Sequence, residues 1–161
     1  MLLLYCRRFL ESDLSSVDRS KTPWVVVGMH RGMYVDDATD MGPGSPSTTL
    51  QQQVERLFVE KSVDLVLNGH ARLFHYSCPI IQDHCVGFSE DGSAMGPVHA
   101  MLGIGGAAIP LRAQQAAPAW VVDEAFDNGV AQLLADKTSL KMQVRGLLMP
   151  LGVVVPAVLY Y

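Results

Sequence analysis

Two histidines and one arginine stand where the chain could do chemistry. His30 follows the apolar run Trp24–Val27 after a short glycine step, His70 follows the run Val63–Leu67 after Asn-Gly, and Arg72 comes two residues later. Imidazole nitrogens bind divalent metals or grip phosphate, whereas a guanidinium binds phosphate but cannot coordinate a metal. Spacing alone leaves two interpretations open: a shared ligand site, or two hydrogen-bonded turn histidines.

The elements that position these residues form a βαβ unit. Both apolar runs are short and rich in β-branched residues, which is typical of strands covered on both faces. Between them, Thr48 and Gln51 match a capping box, and an apolar face at helical spacing continues to about Glu60. A strand, helix and strand in this order predict parallel strands with a right-handed crossover. Both histidines then lie at the carboxyl ends of the strands, where open α/β sheets bind ligands.

The remaining elements complete an α/β chain. Arg8 to Asp18 has the spacing of an amphipathic helix, and Val98–Ile104 reads as a further strand. Val130–Ala135 and Leu140–Arg145 predict an antiparallel hairpin, the second strand alternating between apolar and polar residues. The segment Ala107–Trp120 is predicted to be a surface excursion.

Composition limits the classes of partner. The 161 residues suit one domain, and 49% are hydrophobic against 17% charged, an apolar excess that favours a partner surface. The net charge is -4 and no basic cluster exceeds the pair Arg7-Arg8, so we expect no nucleic-acid partner.

The two ends and the cysteines give further expectations. No signal peptide is recognised at the N-terminus. The uncharged tail Gly146–Tyr161 is too short and proline-interrupted for a transmembrane span, and could be a terminal strand pair, an interfacial segment or sequence foreign to the domain. With three cysteines and no leader we expect free thiols, with a loop-closing Cys78–Cys85 disulfide as the alternative.

Two blocks resemble the purple acid phosphatases, a family of the calcineurin-like metallophosphoesterase superfamily. DRSKTPWVVVGMHRGMY, residues 18–34, is similar to the block that usually ends in Gly-His-Arg-Pro-Met-Tyr. VDLVLNGHARLFHYSCPI, residues 63–80, resembles the closing metal block with its Gly-His-x-His motif. MGPVHAMLGIGGA, residues 95–107, is similar to the strand that follows. The resemblance covers residues 8–145 and implies the C-terminal half of the catalytic domain, a partial metallophosphoesterase sandwich; residues 146–161 remain a tail of unknown role.

This resemblance implies an acid phosphatase-type activity. Family members hydrolyse phosphomonoesters at a binuclear centre of Fe(III) with a divalent zinc, manganese or iron ion. By position, His30 and His70 correspond to ligands of the divalent metal, and Arg72 stands where a second histidine would bind iron. Relatives are typically secreted, vacuolar or lysosomal.

The departures from the family pattern imply an incomplete site. The blocks Asp-x-Gly, Gly-Asp-x-x-Tyr and Gly-Asn-His-Glu, which supply carboxylate, tyrosine and asparagine ligands, do not occur in this chain. We therefore do not expect the chain alone to bind both metals fully, and no catalytic residue is assigned.

Other chemistry-bearing residues have simpler interpretations. We expect His75 to pack or meet solvent, the acidic residues Asp36, Asp37 and Asp40 to form a solvated loop, and Trp24 and Trp120 to pack. A zinc site of His84, Cys78 and Cys85 lacks a fourth ligand and matches no usual spacing, and His99 lies at a strand start.

Three hypotheses about function remain. The chain is part of an active phosphatase whose other ligands lie elsewhere, or a degenerate binder that holds phosphate with Arg72, His30 and His70. The third hypothesis is an interaction domain that self-associates or pairs with another chain through an exposed sheet edge.

Overall fold

The computed structural model describes residues 2–36, 40, 42–109, 116–147 and 153–160. The element order is α1 Leu2–Ser15, β1 Val26–Met29, α2 Pro46–Glu60, β2 Leu65–Asn68, β3 Phe74–Ser77, β4 Ile80–Ile81, β5 His84–Cys85, β6 Val98–Leu102, β7 Val121–Ala125, β8 Gly129–Ala135, β9 Ser139–Gly146 and β10 Val153–Tyr160.

The predicted βαβ unit is present, and it forms one end of a five-stranded mixed sheet ordered β1-β2-β6-β3-β7. β1, β2 and β6 are parallel, whereas β3 runs antiparallel to both β6 and β7. Asp64 joins the starts of the first two strands, because its carboxylate accepts from the Val25 N–H at 2.6 Å and from Arg19 at 2.6 Å.

A second sheet, ordered β10-β9-β8, covers one face of the first and confirms the predicted sandwich. Leu140, Met142 and Val144 alternate along β9 and pack onto a core with Leu65 and Phe74. The other face is covered by the helices: Leu14 of α1 and Val54, Leu57 and Phe58 of α2 share a core with Val27 and Val66. The layers are therefore helix, sheet, sheet.

The predicted hairpin is confirmed as β8 and β9, joined in continuous register from Gly129↔Gly146 to Ala135↔Leu140. The Asp136 carboxylate closes the turn by accepting from the N–H groups of Thr138 and Ser139, both at 2.7 Å. These bonds lower the pKa of Asp136 to about 2. In the tail, β10 pairs with β9.

Several sequence-based boundaries were wrong. α1 lies earlier than residues 8–18, and the cap of α2 is Ser45, not Thr48: the Ser45 hydroxyl accepts from the Thr48 N–H at 3.1 Å, with Pro46 as the first helical residue. β1 begins two residues late and is not covered on both faces. It is the outermost described strand of its sheet, and Val26 is 39% exposed.

The free-thiol expectation was also wrong. Cys78 and Cys85 form a disulfide with a Cα–Cα distance of 5.6 Å, which closes the small hairpin of β4 and β5. The same bond occupies both sulfurs of the zinc triad considered from the sequence, and His84 instead contacts the Gln82 carbonyl through Nδ1 at 2.6 Å. No described helix is long and apolar enough to cross a membrane.

Candidate functional site

His30 and His70 meet at the carboxyl edge of the first sheet, as the βαβ topology predicts. In the parallel register Met29 pairs with Asn68, so the next residues of both strands leave the sheet at one level. The Gly69 N–H then donates to the His30 carbonyl at 3.1 Å, which extends the pairing into the loops. His70 Nδ1 lies 3.2 Å from His30 Nε2, and the two exposed rings stand edge to face at 77°.

The backbone at His70 adopts a conformation that few side chains favour. Its φ is +66°, in the left-handed region, which costs a residue with a β-carbon about 1 kcal/mol. Such strain concentrates at functional sites, where the surrounding structure fixes an unfavourable conformation. Here the left-handed turn directs the imidazole toward His30, so the strained residue is the one that completes the pair.

Arg72 lies in the same loop, and close backbone packing beneath the preceding residue fixes its position. The side chain of Ala71 is buried, and a β-carbon at Gly103 would fall 1.7 Å from the Ala71 carbonyl oxygen, so only glycine allows the two backbones this approach. The Arg72 guanidinium donates through Nη1 to the Ala108 carbonyl at 3.1 Å. The side chain is exposed, and the guanidinium carries further N–H donors beyond this bond.

Asn68 supports the histidine loops and was not recognised as a site residue from the sequence. Its Nδ2 donates to the Arg31 carbonyl at 3.1 Å, which holds the loop that follows His30. Its Oδ1 is buried and has no hydrogen-bond partner within the described part of the chain. The sequence pattern that could have indicated it is a polar residue at the end of an otherwise apolar strand, directly before Gly-His.

We call His30, His70, Arg72 and Asn68 the ligand edge. The distance between its two imidazoles can be compared with the spacing of ligands around a metal ion. Two nitrogens bound to one tetrahedral zinc at about 2.0–2.1 Å lie roughly 3.3 Å apart. The 3.2 Å between His70 Nδ1 and His30 Nε2 is a hydrogen-bond distance, and it is also close to the separation of two ligands on one divalent cation. The described residues contain no cluster of three or more His, Cys, Asp or Glu that could hold a metal, so they do not by themselves supply the ligands of a binuclear centre.

A second polar region, the Tyr34 network, consists of Tyr34, Glu55, Gln51 and the hairpin tip Gln82–Asp83. The Tyr34 hydroxyl donates to Glu55 Oε1, which also accepts from the Gln82 N–H at 2.9 Å. Gln51 and the Asp83 N–H donate to the same hydroxyl at 3.1 and 3.3 Å. Burial, and then the adjacent Glu55 carboxylate, raise the pKa of Tyr34, so the phenol stays protonated.

The other polar residues singled out in the sequence lie away from the histidine pair or inside the protein. Asp40 is not solvated as expected: it is 5% exposed and accepts from Arg31 at 3.1 Å and from Ser47 at 3.0 Å, whereas Asp37 lies outside the described residues. Asp40 borders a cavity of about 350 Å³ beside Tyr34, whose described lining does not include the two ligand-edge histidines.

His75 and His99 are core residues. His75 packs edge to face on Trp120 and contacts the Tyr34 carbonyl at 3.3 Å, which confirms the packing role expected for both Trp120 and His75. His99 is fully buried against the Tyr34 ring, and neither of its ring nitrogens has a hydrogen-bond partner among the described residues. Burial, and then repulsion from His75, lower the pKa of His99 to about 3.

The match to a solved structure supports the fold class. The layered sheets are those of a partial metallophosphoesterase sandwich. A purple acid phosphatase from yellow lupin (Lupinus luteus) seeds superposes with a TM-score of 0.74 at 27% identity, covering 86% of this chain and 25% of that one.

Sequence comparison shows which proteins the chain resembles. A probable inactive purple acid phosphatase 24 of Arabidopsis thaliana is 27% identical over 145 residues, which are 86% of this chain and 23% of that protein. Purple acid phosphatase 21 of the same plant is 32% identical over 98 residues, 61% of this chain and 20% of the relative. No family model matches the chain. These matches confirm the predicted resemblance to purple acid phosphatases, and the chain spans less than a quarter of the length of these curated relatives.

Proposed function

We propose that this chain carries the two-histidine portion of an acid phosphatase-type metal site and that, on its own, it binds a divalent cation and phosphate without sustained phosphomonoester hydrolysis. The observation that carries this proposal is the 3.2 Å separation of His70 Nδ1 and His30 Nε2 on an exposed edge. Two neutral imidazoles are good ligands for zinc, and water completes the coordination of a site with few protein ligands.

Sustained turnover requires more than these two ligands. A two-metal phosphoesterase needs ligands that hold both ions a few ångströms apart, and hard oxygen ligands for Fe(III). The described residues supply no such cluster at the ligand edge. The names of several similar plant proteins, among them purple acid phosphatases 24 and 27, include the words "probable inactive", which agrees with a binding role.

Arg72 is the proposed phosphate contact. A guanidinium pairs with phosphate through parallel N–H bonds, and it repels a cation at the position where the family binds iron. Its exposed guanidinium donates one hydrogen bond, to the Ala108 carbonyl, and its remaining N–H groups can donate to an anion. The bound phosphate would also neutralise the guanidinium next to a metal held by the histidines.

Metal binding is tested by titrating Zn²⁺ or Mn²⁺ into the wild type and into His30→Asn and His70→Asn. Loss of either imidazole should weaken cation affinity by roughly tenfold or more, because a single imidazole remains. His84→Asn is the matched control, since His84 is an exposed histidine on the β4–β5 hairpin and should leave affinity unchanged. Equal affinity in all four proteins would contradict the proposal.

Phosphate binding and turnover are tested separately. Arg72→Ala should weaken inorganic phosphate binding, whereas Arg145→Ala, on the exposed face of β9, should not. Wild-type protein should hydrolyse p-nitrophenyl phosphate at the rate of the His30→Asn variant. Turnover that disappears with His30 would instead support the alternative of an active phosphatase.

A further inference from the structure

The two strands of the β4–β5 hairpin are anchored unequally. Ile80 of β4 is fully buried, and its N–H donates to the Pro97 carbonyl at 3.1 Å. Residues 82–85, which form the turn and β5, are all exposed, and β5 pairs only with β4 among the described strands. The disulfide between Cys78 and Cys85 therefore ties an exposed strand to an anchored one.

The turn between these strands is one that its sequence does not favour. Ile81 pairs with His84, which leaves a two-residue turn of Gln82 and Asp83 with φ values of +49° and +64°. A hairpin turn with positive φ at both central residues is of type I′, which prefers Asn-Gly or Asp-Gly. Glutamine has no preference for left-handed backbone, and aspartate tolerates it less well than glycine does. The hairpin therefore depends on more than its turn to stay closed.

Two further contacts hold the turn in place, the Tyr34 network and the disulfide. The Gln82 N–H donates to Glu55 Oε1 at 2.9 Å, and the Asp83 N–H donates to the Tyr34 hydroxyl at 3.3 Å. Both acceptor side chains are buried. The disulfide joins cysteines only 7 positions apart, so it restricts the turn to conformations that keep the two N–H groups near these acceptors.

The turn also separates two open spaces. One is the cavity of about 350 Å³ beside Tyr34, and the other is a groove of about 460 Å³ along α2. Gln51 and Asp83 border both spaces, and Gln51 Nε2 lies 3.5 Å from Asp83 Oδ1. Movement of the turn away from α2 would remove this shared wall and bring solvent to the Tyr34 hydroxyl and the Glu55 carboxylate.

We propose that the Cys78–Cys85 disulfide is a redox latch: a dithiol reductant opens it, the turn leaves Tyr34 and Glu55, and the cavity and the groove become one space. A thiolate of the reductant attacks the sulfur of exposed Cys85 and displaces the Cys78 thiolate, which takes up a proton. The second thiol of the reductant then closes its own disulfide and releases Cys85 as a thiol. Two electrons and two protons thus pass to the protein, and exchange with an oxidised dithiol reverses the change.

Amide hydrogen exchange followed by NMR tests the latch in the wild-type chain. In the oxidised protein the N–H groups of Gln82, Asp83 and Ile80 should all be protected. After reduction with dithiothreitol, protection at Gln82 and Asp83 should fall by at least roughly tenfold more than at Ile80, whose N–H is bonded on the anchored strand. Ile80 thereby corrects for a general loss of stability. Turn amides that keep their protection relative to Ile80 after reduction would overturn the proposal.

Two double variants test the parts of the latch separately. Cys78→Ser with Cys85→Ser should show the exchange pattern of the reduced protein, with or without the reductant. Gln82→Asn with Asp83→Gly introduces the favoured turn and keeps both N–H donors, so its turn should stay protected after reduction. The proposal also fails if the double cysteine variant keeps its turn amides protected, or if the double turn variant opens on reduction as readily as wild type.

Discussion

The ligand edge and the Tyr34 network are both polar, but the structure holds them in different ways. At the ligand edge His30, His70 and Arg72 are exposed, and their side chains make few contacts beyond one another and one carbonyl. In the network Tyr34 and Glu55 are buried: the Tyr34 hydroxyl bonds to Glu55 and Gln51 of α2 and to the Asp83 N–H, and Glu55 also accepts from the Gln82 N–H. The exposed side chains thus remain available to a ligand, while the buried groups of the Tyr34 network have partners within the chain.

This difference predicts opposite consequences of substitution. A buried hydrogen-bonded group that loses its partner costs the free energy of its desolvation, whereas an exposed group that is lost is replaced by water. Substitutions that disturb the buried contacts supporting either region should lower the free energy of unfolding. Substitutions of the exposed ligand-edge side chains should mainly lower the affinity for a ligand. The following predictions test this contrast.

The largest effect is expected at Gly103, where the ligand edge depends on close backbone contact. Gly103→Ala places a β-carbon 1.7 Å from the Ala71 carbonyl oxygen, and because the obstacle is backbone the loop before Arg72 must shift. We expect a loss of about 4 kcal/mol in the free energy of unfolding, measured with urea. Gly105→Ala is the control, since its added carbon meets nothing within 4 Å. Equal stabilities would show that the loop moves freely.

The next effect concerns His99, which lies against Tyr34 and whose ring nitrogens have no hydrogen-bond partner among the described residues. Burial depresses the pKa of His99 to about 3, below the unfolded value of 6.5, so the unfolded chain binds more protons between these values. Stability should therefore fall as the pH is lowered from 6.5 toward 3, by about 1.4 kcal/mol per pH unit. Between pH 6.5 and 4.5 this amounts to about 2.3 kcal/mol, because the unfolded histidine is already half protonated at pH 6.5.

Replacing His99 isolates this contribution. His99→Leu should flatten the dependence of unfolding free energy on pH over this range, whatever its effect at neutral pH. His84→Leu removes an exposed histidine and should retain the slope. An unchanged slope in His99→Leu would mean that other groups cause the acid sensitivity.

A smaller effect is expected from the disulfide, which supports the Tyr34 network. Cys78 and Cys85 close the hairpin whose tip supplies the N–H groups of Gln82 and Asp83. Cys78→Ser with Cys85→Ser should lower the unfolding free energy by about 2 kcal/mol, because the unfolded chain gains conformational freedom. Dithiothreitol should lower the stability of wild type by the same amount and leave the double variant unchanged. Sensitivity of the double variant to the reductant would contradict this explanation.

The same contrast explains what the sequence could predict. The meeting of His30 and His70 follows from local patterns, because each apolar run ends in a histidine and parallel topology brings the ends together. The Tyr34 network joins residues up to 49 positions apart, and no spacing rule relates Tyr34 to the N–H of Asp83. The buried environment of Asp40 was missed for a different reason: its partners Arg31 and Ser47 are only 9 and 7 residues away, but the acidic loop between them has no periodic pattern that predicts burial.

Boundaries and covalent links were less predictable than the topology. Ser45 and Thr48 both suit a helix cap, and the choice depends on Pro46 continuing the helix backward. Free thiols were expected because no signal peptide was recognised, and that observation says nothing about geometry. The hairpin of β4 and β5 brings Cys78 and Cys85 together. Short strands such as β3 were missed, because Phe74–Ser77 is mixed in polarity yet buried on both faces.

The smallest effect on stability is expected at His70, where function and stability should change in opposite directions. His70 holds a left-handed backbone conformation at φ +66°, which asparagine tolerates better than histidine. His70→Asn should therefore raise the unfolding free energy by up to about 1 kcal/mol, because the imidazole that it removes is exposed and stabilises little. His30→Asn is the matched control, since positive φ does not occur at His30 and no strain is relieved. Both variants should lose divalent-cation affinity, and only His70→Asn should gain stability. A destabilised His70→Asn variant would show that the imidazole pair contributes to folding, and the ligand edge would then resemble the Tyr34 network in kind.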